Sequence, residues 1–202
     1  MPQAIAPNTF QRVRWVQSIT VAWMSAEAAV SLFAAWRAQS PALVAFGGDS
    51  AIELASAVVV LSRFRANAAP EQAEQQAARI AGVLLFLLAA CVVATSVMTL
   101  LGYGEPKPTL LGIAILIAAA VFMPVLAREK RRLSAATASA ALRTDAAESA
   151  LCGYLSLIAL LGLVLNAIWH VRWADPAAAL LIVPFVLCEG AEAIQGKHCG
   201  CR

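Results

Sequence analysis

The sequence predicts an all-α fold: a polytopic membrane protein of six transmembrane helices. Three observations carry this: the bulk composition, the recurrence of apolar runs of spanning length, and a one-sided distribution of Lys and Arg. Of the 202 residues, 61% are hydrophobic and only 13% are charged. A soluble domain of this size usually holds about 45–50% apolar and about 25% charged residues. A chain so poor in polar groups cannot cover itself with polar surface, so a lipid bilayer must be part of its solvent. The formal charge of +3 is small and its basic residues sit at helix ends, which gives no reason to expect a nucleic-acid partner.

The apolar runs cover residues 15–36, 42–62, 80–101, 109–127, 146–170 and 175–194. Each is near the roughly 20 residues that a helix needs to cross the hydrocarbon core. The first could be mistaken for a signal peptide, because Arg12 and Arg14 precede it and Ala26-Glu27-Ala28 fits a small-x-small cleavage pattern. Its apolar character continues to Trp36, however, and further spans follow, so it reads as the first spanning helix. Short polar turns separate the runs: Ala38 to Pro41, Arg65 to Gln76, the breaker cluster Gly102 to Pro108, and Trp173 to Pro176. The stretch from Leu133 to Ala147 favours helix but is weakly apolar, so the fifth helix is expected to start outside the membrane.

Of the fifteen Lys and Arg residues, Arg37, Lys107 and Arg172 fall on one side of this topology and all the others on the opposite side. The richer side is expected to be cytoplasmic and to hold both termini. Trp15, Trp36, Trp169 and Trp173 lie at helix ends, where amphipathic rings anchor. The reading gives one transmembrane domain over residues 1–195 and a short cytoplasmic His/Cys tail over 196–202. No loop is large enough for a soluble catalytic domain, so any chemistry belongs inside the bundle or at its rim.

Acidic residues mark that chemistry. Glu27, Asp49, Glu53, Glu148 and Glu189 fall at or near membrane depth. An ionised carboxylate at the centre of a spanning helix costs roughly 2.5–3.5 kcal/mol on insertion scales, so a cluster of them points to an ion or proton pathway. Asp49 and Glu53 are four residues apart on one helix face. They lie about 13 Å and about 20 Å from Ser40 at about 1.5 Å per residue. Such a pair is tolerable only with a shared proton or a cation between its carboxylates. Glu148 and Cys152 repeat the spacing on the fifth helix, and a carboxylate with a thiolate suits a borderline or soft divalent cation. Two such pairs can converge on one four-ligand site.

Other groups are weaker candidates for a secondary metal or proton relay: Glu27, Asp145, and the tail residues His198, Cys199 and Cys201. Three tail donors do not complete a tetrahedral site. Glu189 and Glu192 sit near the cytoplasmic end of the sixth run and read as solvated. The five cysteines, Cys91, Cys152, Cys188, Cys199 and Cys201, show no disulfide framework and read as reduced thiols or metal ligands. Pro124 and Pro184 are expected to kink the fourth and sixth helices.

The stretch Phe46-Gly47-Gly48-Asp49-Ser50-Ala51-Ile52-Glu53 resembles the second-helix motif of the cation diffusion facilitator family. Leu142 to Cys152 resembles its fifth-helix His-x-x-x-Asp motif, with Glu148 at the His position and Cys152 at the Asp position. Ala174-Asp175-Pro176-Ala177-Ala178 resembles the Asp-Pro opening of its sixth helix. The resemblance covers roughly residues 12–195. It implies a six-helix bundle with cytoplasmic termini and a transport site at Asp49, Glu53, Glu148 and Cys152. It also implies a homodimer in a bacterial inner membrane, with lipid, metal cations and protons as its partners.

The implied activity is secondary transport of a divalent metal cation out of the cytoplasm by proton antiport. Zn²⁺ is the first expectation, with Cd²⁺, Co²⁺, Fe²⁺ and Mn²⁺ in range, and no organic cofactor. The family's His is absent, which puts the identity of the metal in doubt. Few residues follow the sixth helix, so the family's cytoplasmic metal-binding domain is also expected to be missing. That leaves an alternative: a metal-binding accessory subunit that does not itself transport. An intramembrane enzyme, which needs a nucleophile–base pair or a closed metal–water site, is not expected, since His170 and His198 both lie outside the core; no P-loop motif is present, so direct ATP coupling is not expected either.

Overall fold

The computed structural model describes residues 7–66, 71–137 and 140–195, and all six expected helices are there. They are α1 (Pro7–Ala38), α2 (Pro41–Ala66), α3 (Glu71–Leu100), α4 (Leu110–Thr137), α5 (Ala140–Trp169) and α6 (Ala174–Gln195). Besides α1, which begins at Pro7, and α2, which runs to Ala66, three of them outrun their apolar spans at the same end of the bundle: the start of α3, the end of α4 and the start of α5. The added segments are rich in Ala, Arg, Glu, Gln and Leu, all good helix formers, and a helix continues freely into water once it leaves lipid. The fifth helix therefore does start well before its apolar run.

Around the bundle α1 packs on α2 and α4, α4 on α5, α5 on α6, α6 on α3, and α3 on α2. The second helix also meets α5 and α6, which makes it the most enclosed. Among the described residues, five helices are long and apolar enough to cross a membrane; α2 carries Asp49 and Glu53. Its enclosure explains how it can carry those charges, because a helix walled by its neighbours meets little lipid and needs no continuous apolar surface. The apolar core runs through Leu43, Phe46, Leu116, Met123, Leu155, Leu163 and Ile182, all fully buried. On the outside, Leu110, Val121, Leu161 and Leu181 are exposed, as are Trp15, Trp36, Trp169 and Trp173 at the helix ends. That surface suits acyl chains with an aromatic belt at each interface.

The helix ends on the Gly102–Pro108 side are tied closely. Gly102 takes a φ of 90°, and Tyr103 N–H bonds to Met98 C=O at 2.9 Å while Gly102 N–H bonds to Thr99 C=O at 3.1 Å. This is a Schellman cap, which needs a left-handed residue and so favours glycine there. The loop that follows is anchored by Lys107 N–H on Ala38 C=O and by the Asn166 amide on Pro106 C=O, each at 2.8 Å. Small residues bring the backbones together elsewhere. A Cβ on Gly82 of α3 would lie 2.7 Å from Gly190 O of α6, and one on Gly153 of α5 would lie 3.2 Å from the Pro124 ring of α4. Such close approaches are how membrane helices gain packing energy.

Candidate metal site

The local sequence places α2 accurately along its axis. Ser40 precedes Pro41, the N-cap followed by a proline at the first helical position. Its hydroxyl accepts from Leu43 N–H at 3.2 Å and donates to Asp175 at the start of α6. Asp175, itself buried, also accepts from Ala42 N–H at 3.2 Å. One side chain of α6 thus caps α2, and the two helices leave the same end pinned together. Counting about 1.5 Å per residue, Glu53 lies about 20 Å from Ser40 and Glu189 about 21 Å from Asp175. The pin therefore brings Glu189 to the depth of Glu53.

The geometry follows that register. Ligand atoms of Asp49, Glu53 and Glu189 all lie within 4.8 Å of one another. Asp49 is wholly buried, and neither of its carboxylate oxygens has a hydrogen-bond partner among the described residues. One oxygen of Glu53 and one of Glu189 are likewise unpartnered among the described residues. A buried acceptor left unmet costs about 1–3 kcal/mol, and more when charged. The carboxylates converge on one small space where a cation would meet oxygen donors from two helices.

The α5 pair is split. Glu148 is exposed and lies within electrostatic range of Asp49 and Glu53, at the rim of the cluster. Cys152 is fully buried, and its thiol donates to Glu27 Oε1 at 3.3 Å. Glu27 of α1 also accepts from Ser50 Oγ at 2.8 Å and from Trp23 Nε1 at 2.6 Å, with the Trp23 ring packed on Phe122 of α4. Ser50 Oγ stands 3.9 Å from Cys152 Sγ. Glu27 therefore knots α1, α2 and α5 together beside the cluster, with its acceptor oxygens met. Asp49 and Glu53 are brought together as their spacing predicts, whereas Cys152 faces the neighbouring knot.

Asp145 is held by other groups. It accepts from Lys130 Nζ at 2.8 Å and from Gln17 Nε2 at 2.6 Å, and Lys130 also reaches Ser149 Oγ at 2.8 Å. Lys130, in the basic Arg128–Arg132 stretch, is wholly buried. The continuation of α4 to Thr137 turns it inward between α1 and α5. The tail residues His198, Cys199 and Cys201 lie outside the described residues.

Sequence reading placed Glu189 near membrane depth but took it as solvated, whereas one of its oxygens is buried beside Asp49 and Glu53. The signal that finds it is the nearly equal spacing from the two pinned ends, Ser40 to Glu53 and Asp175 to Glu189, rather than any local motif.

Unpartnered carboxylates buried in a bundle of membrane-spanning helices define a membrane protein built to move ions. The comparison with protein families gives the particular kind: residues 18–195 match the cation efflux transmembrane domain. The chain belongs to the cation diffusion facilitator family. It is an integral membrane protein of the cation-transporting kind, with divalent metal ions as its substrates, and the members of this family are transporters rather than enzymes. No curated protein matches the chain.

Proposed function

We propose that the protein exports a divalent metal cation, Zn²⁺ or a first-row neighbour, from the cytoplasm in exchange for protons. The cation rests on Asp49 and Glu53 of α2, with Glu148 and Cys152 of α5 as the facing donors. One observation carries this reading: Asp49 is wholly buried and both its oxygens lack a partner among the described residues, so a cation or a proton is needed to offset its charge. Metal binding requires deprotonated ligands. Protons therefore compete with metal for the same carboxylates, and an inward proton gradient releases metal outward. Cys152 enters the ligand set when α5 moves relative to α2, freeing its thiol from Glu27. Rocking of helices around a fixed midplane site is the general way such transporters alternate access.

The distribution of Lys and Arg supports a cytoplasmic location for both termini; we further place the chain in a bacterial inner membrane as a homodimer. Residues 1–195 act as the transport domain, and the tail from 196 onward, with His198, Cys199 and Cys201, captures thiophilic metal at the cytoplasmic face.

Metal-dependent quenching of a dye inside proteoliposomes tests the proposal across a panel of cations, with and without a pH gradient. Uptake that needs the gradient and is lost in Asp49→Asn supports it. Uptake indifferent to both refutes it.

A further inference from the structure

We propose that Glu189 of α6 is a direct metal ligand, so that the inner part of the site is an all-carboxylate set shared by α2 and α6. The inference rests on the transport-site reading above and deepens it by adding a third helix and naming the class of ion preferred. Three observations carry it. The ligand atoms of Glu189, Asp49 and Glu53 lie within 4.8 Å of one another. Asp49, fully buried, aims two unpartnered oxygens into that space, and Glu189 adds an unpartnered oxygen of its own. The Ser40–Asp175 hydrogen bond and the Gly82–Gly190 approach fix α6 against α2 and α3, so the position of Glu189 is set by the fold rather than by a flexible end.

The donor set then states what it takes. Carboxylate oxygens suit hard and borderline first-row divalent ions, Mn²⁺ as well as Zn²⁺, and confer no preference for soft ions such as Cd²⁺, which thiolates select. The one thiol nearby, Cys152, bonds to Glu27 in this arrangement and joins the set only when α5 moves, so the inner carboxylates act without it. Glu189 is thus the residue that holds the site toward the hard end of the series.

The test is equilibrium binding of Mn²⁺ and Cd²⁺ to the purified full chain in detergent, with parent, Glu189→Gln, Glu189→Cys and Glu53→Gln compared. Glu189→Gln keeps the volume and removes the charge; it should weaken Mn²⁺ binding by about 10–100-fold, the range seen when a group supporting a metal site is lost. Glu189→Cys should reverse the preference, binding Cd²⁺ more tightly than the parent does. It should also add a thiolate-to-Cd²⁺ charge-transfer band, which a merely structural role for Glu189 would not produce. The inference is overturned if Glu189→Gln binds Mn²⁺ like the parent while Glu53→Gln does not, and the transport-site reading then stands without it. A Glu189→Cys variant with no added Cd²⁺ band overturns it as well. If Glu53→Gln also binds like the parent, the site itself is misplaced and both readings fall.

Discussion

Asp49, Glu27 and Lys130 are all buried, and their surroundings give each a different task. Glu27 accepts from Trp23, Ser50 and Cys152 and serves as a structural knot. Removing it in Glu27→Ala would leave Cys152 and Trp23 without this acceptor, while Ser50 keeps the Phe46 carbonyl, at about 1–3 kcal/mol for each buried group left unmet. We expect a clear fall in the thermal midpoint in detergent; an unchanged midpoint would show that the knot contributes nothing. Asp49 has no such partners, so Asp49→Asn should remove metal binding while the midpoint holds or rises. Cys152→Ser keeps a hydroxyl to donate to Glu27 but replaces a soft donor with a hard one, and it should change the order of preferred metals more than total binding.

The α2 pair was legible from sequence because a four-residue spacing fixes a helix face whatever the tertiary packing. Glu189 was not, because its meeting with Glu53 depends on which helices are pinned. Lys130 was counted only among the basic residues of one side, because hydropathy cannot show that α4 continues and turns one cation of a basic block inward.

Among elements, the α2–α6 pin decides where the carboxylates meet. Asp175→Ala removes an acceptor from the Ser40 hydroxyl and the Ala42 amide, and loss of such a cap costs about 0.5–2 kcal/mol. Because the pin also sets the register of Glu189 against Glu53, the variant should weaken metal binding beyond its effect on stability. Asp175→Asn, which keeps an acceptor oxygen, should be milder in both. Equal binding in parent and Asp175→Ala would separate the pin from the site. The α3–α6 contact is a second control on the same register. A Cβ in Gly82→Ala would meet Gly190 O at 2.7 Å, and overpacking of this kind costs about 1–3 kcal/mol. All six helices and their turns were readable from apolar runs and from Gly and Pro. Their true ends were not, because hydropathy reports where lipid stops and not where the helix does.

At the scale of the whole molecule, orientation and function are linked. Export requires that the Gly102–Pro108 loop lie outside, so Glu105→Cys should be labelled by an impermeant thiol reagent from the outside, over the background of the parent's own cysteines. Glu105 pairs with Arg172 at 2.5 Å, but both are exposed and such a pair adds little stability, so the substitution should leave the fold intact. The central claim is that buried carboxylates on α2 hold a cation that protons displace. It is tested most directly by metal uptake into proteoliposomes of the parent, Asp49→Asn and Glu53→Gln, with an imposed pH gradient. The account predicts gradient-dependent uptake in the parent and near loss of it in both variants, although both still insert and melt like the parent. Uptake by both variants at the parent's rate would contradict it.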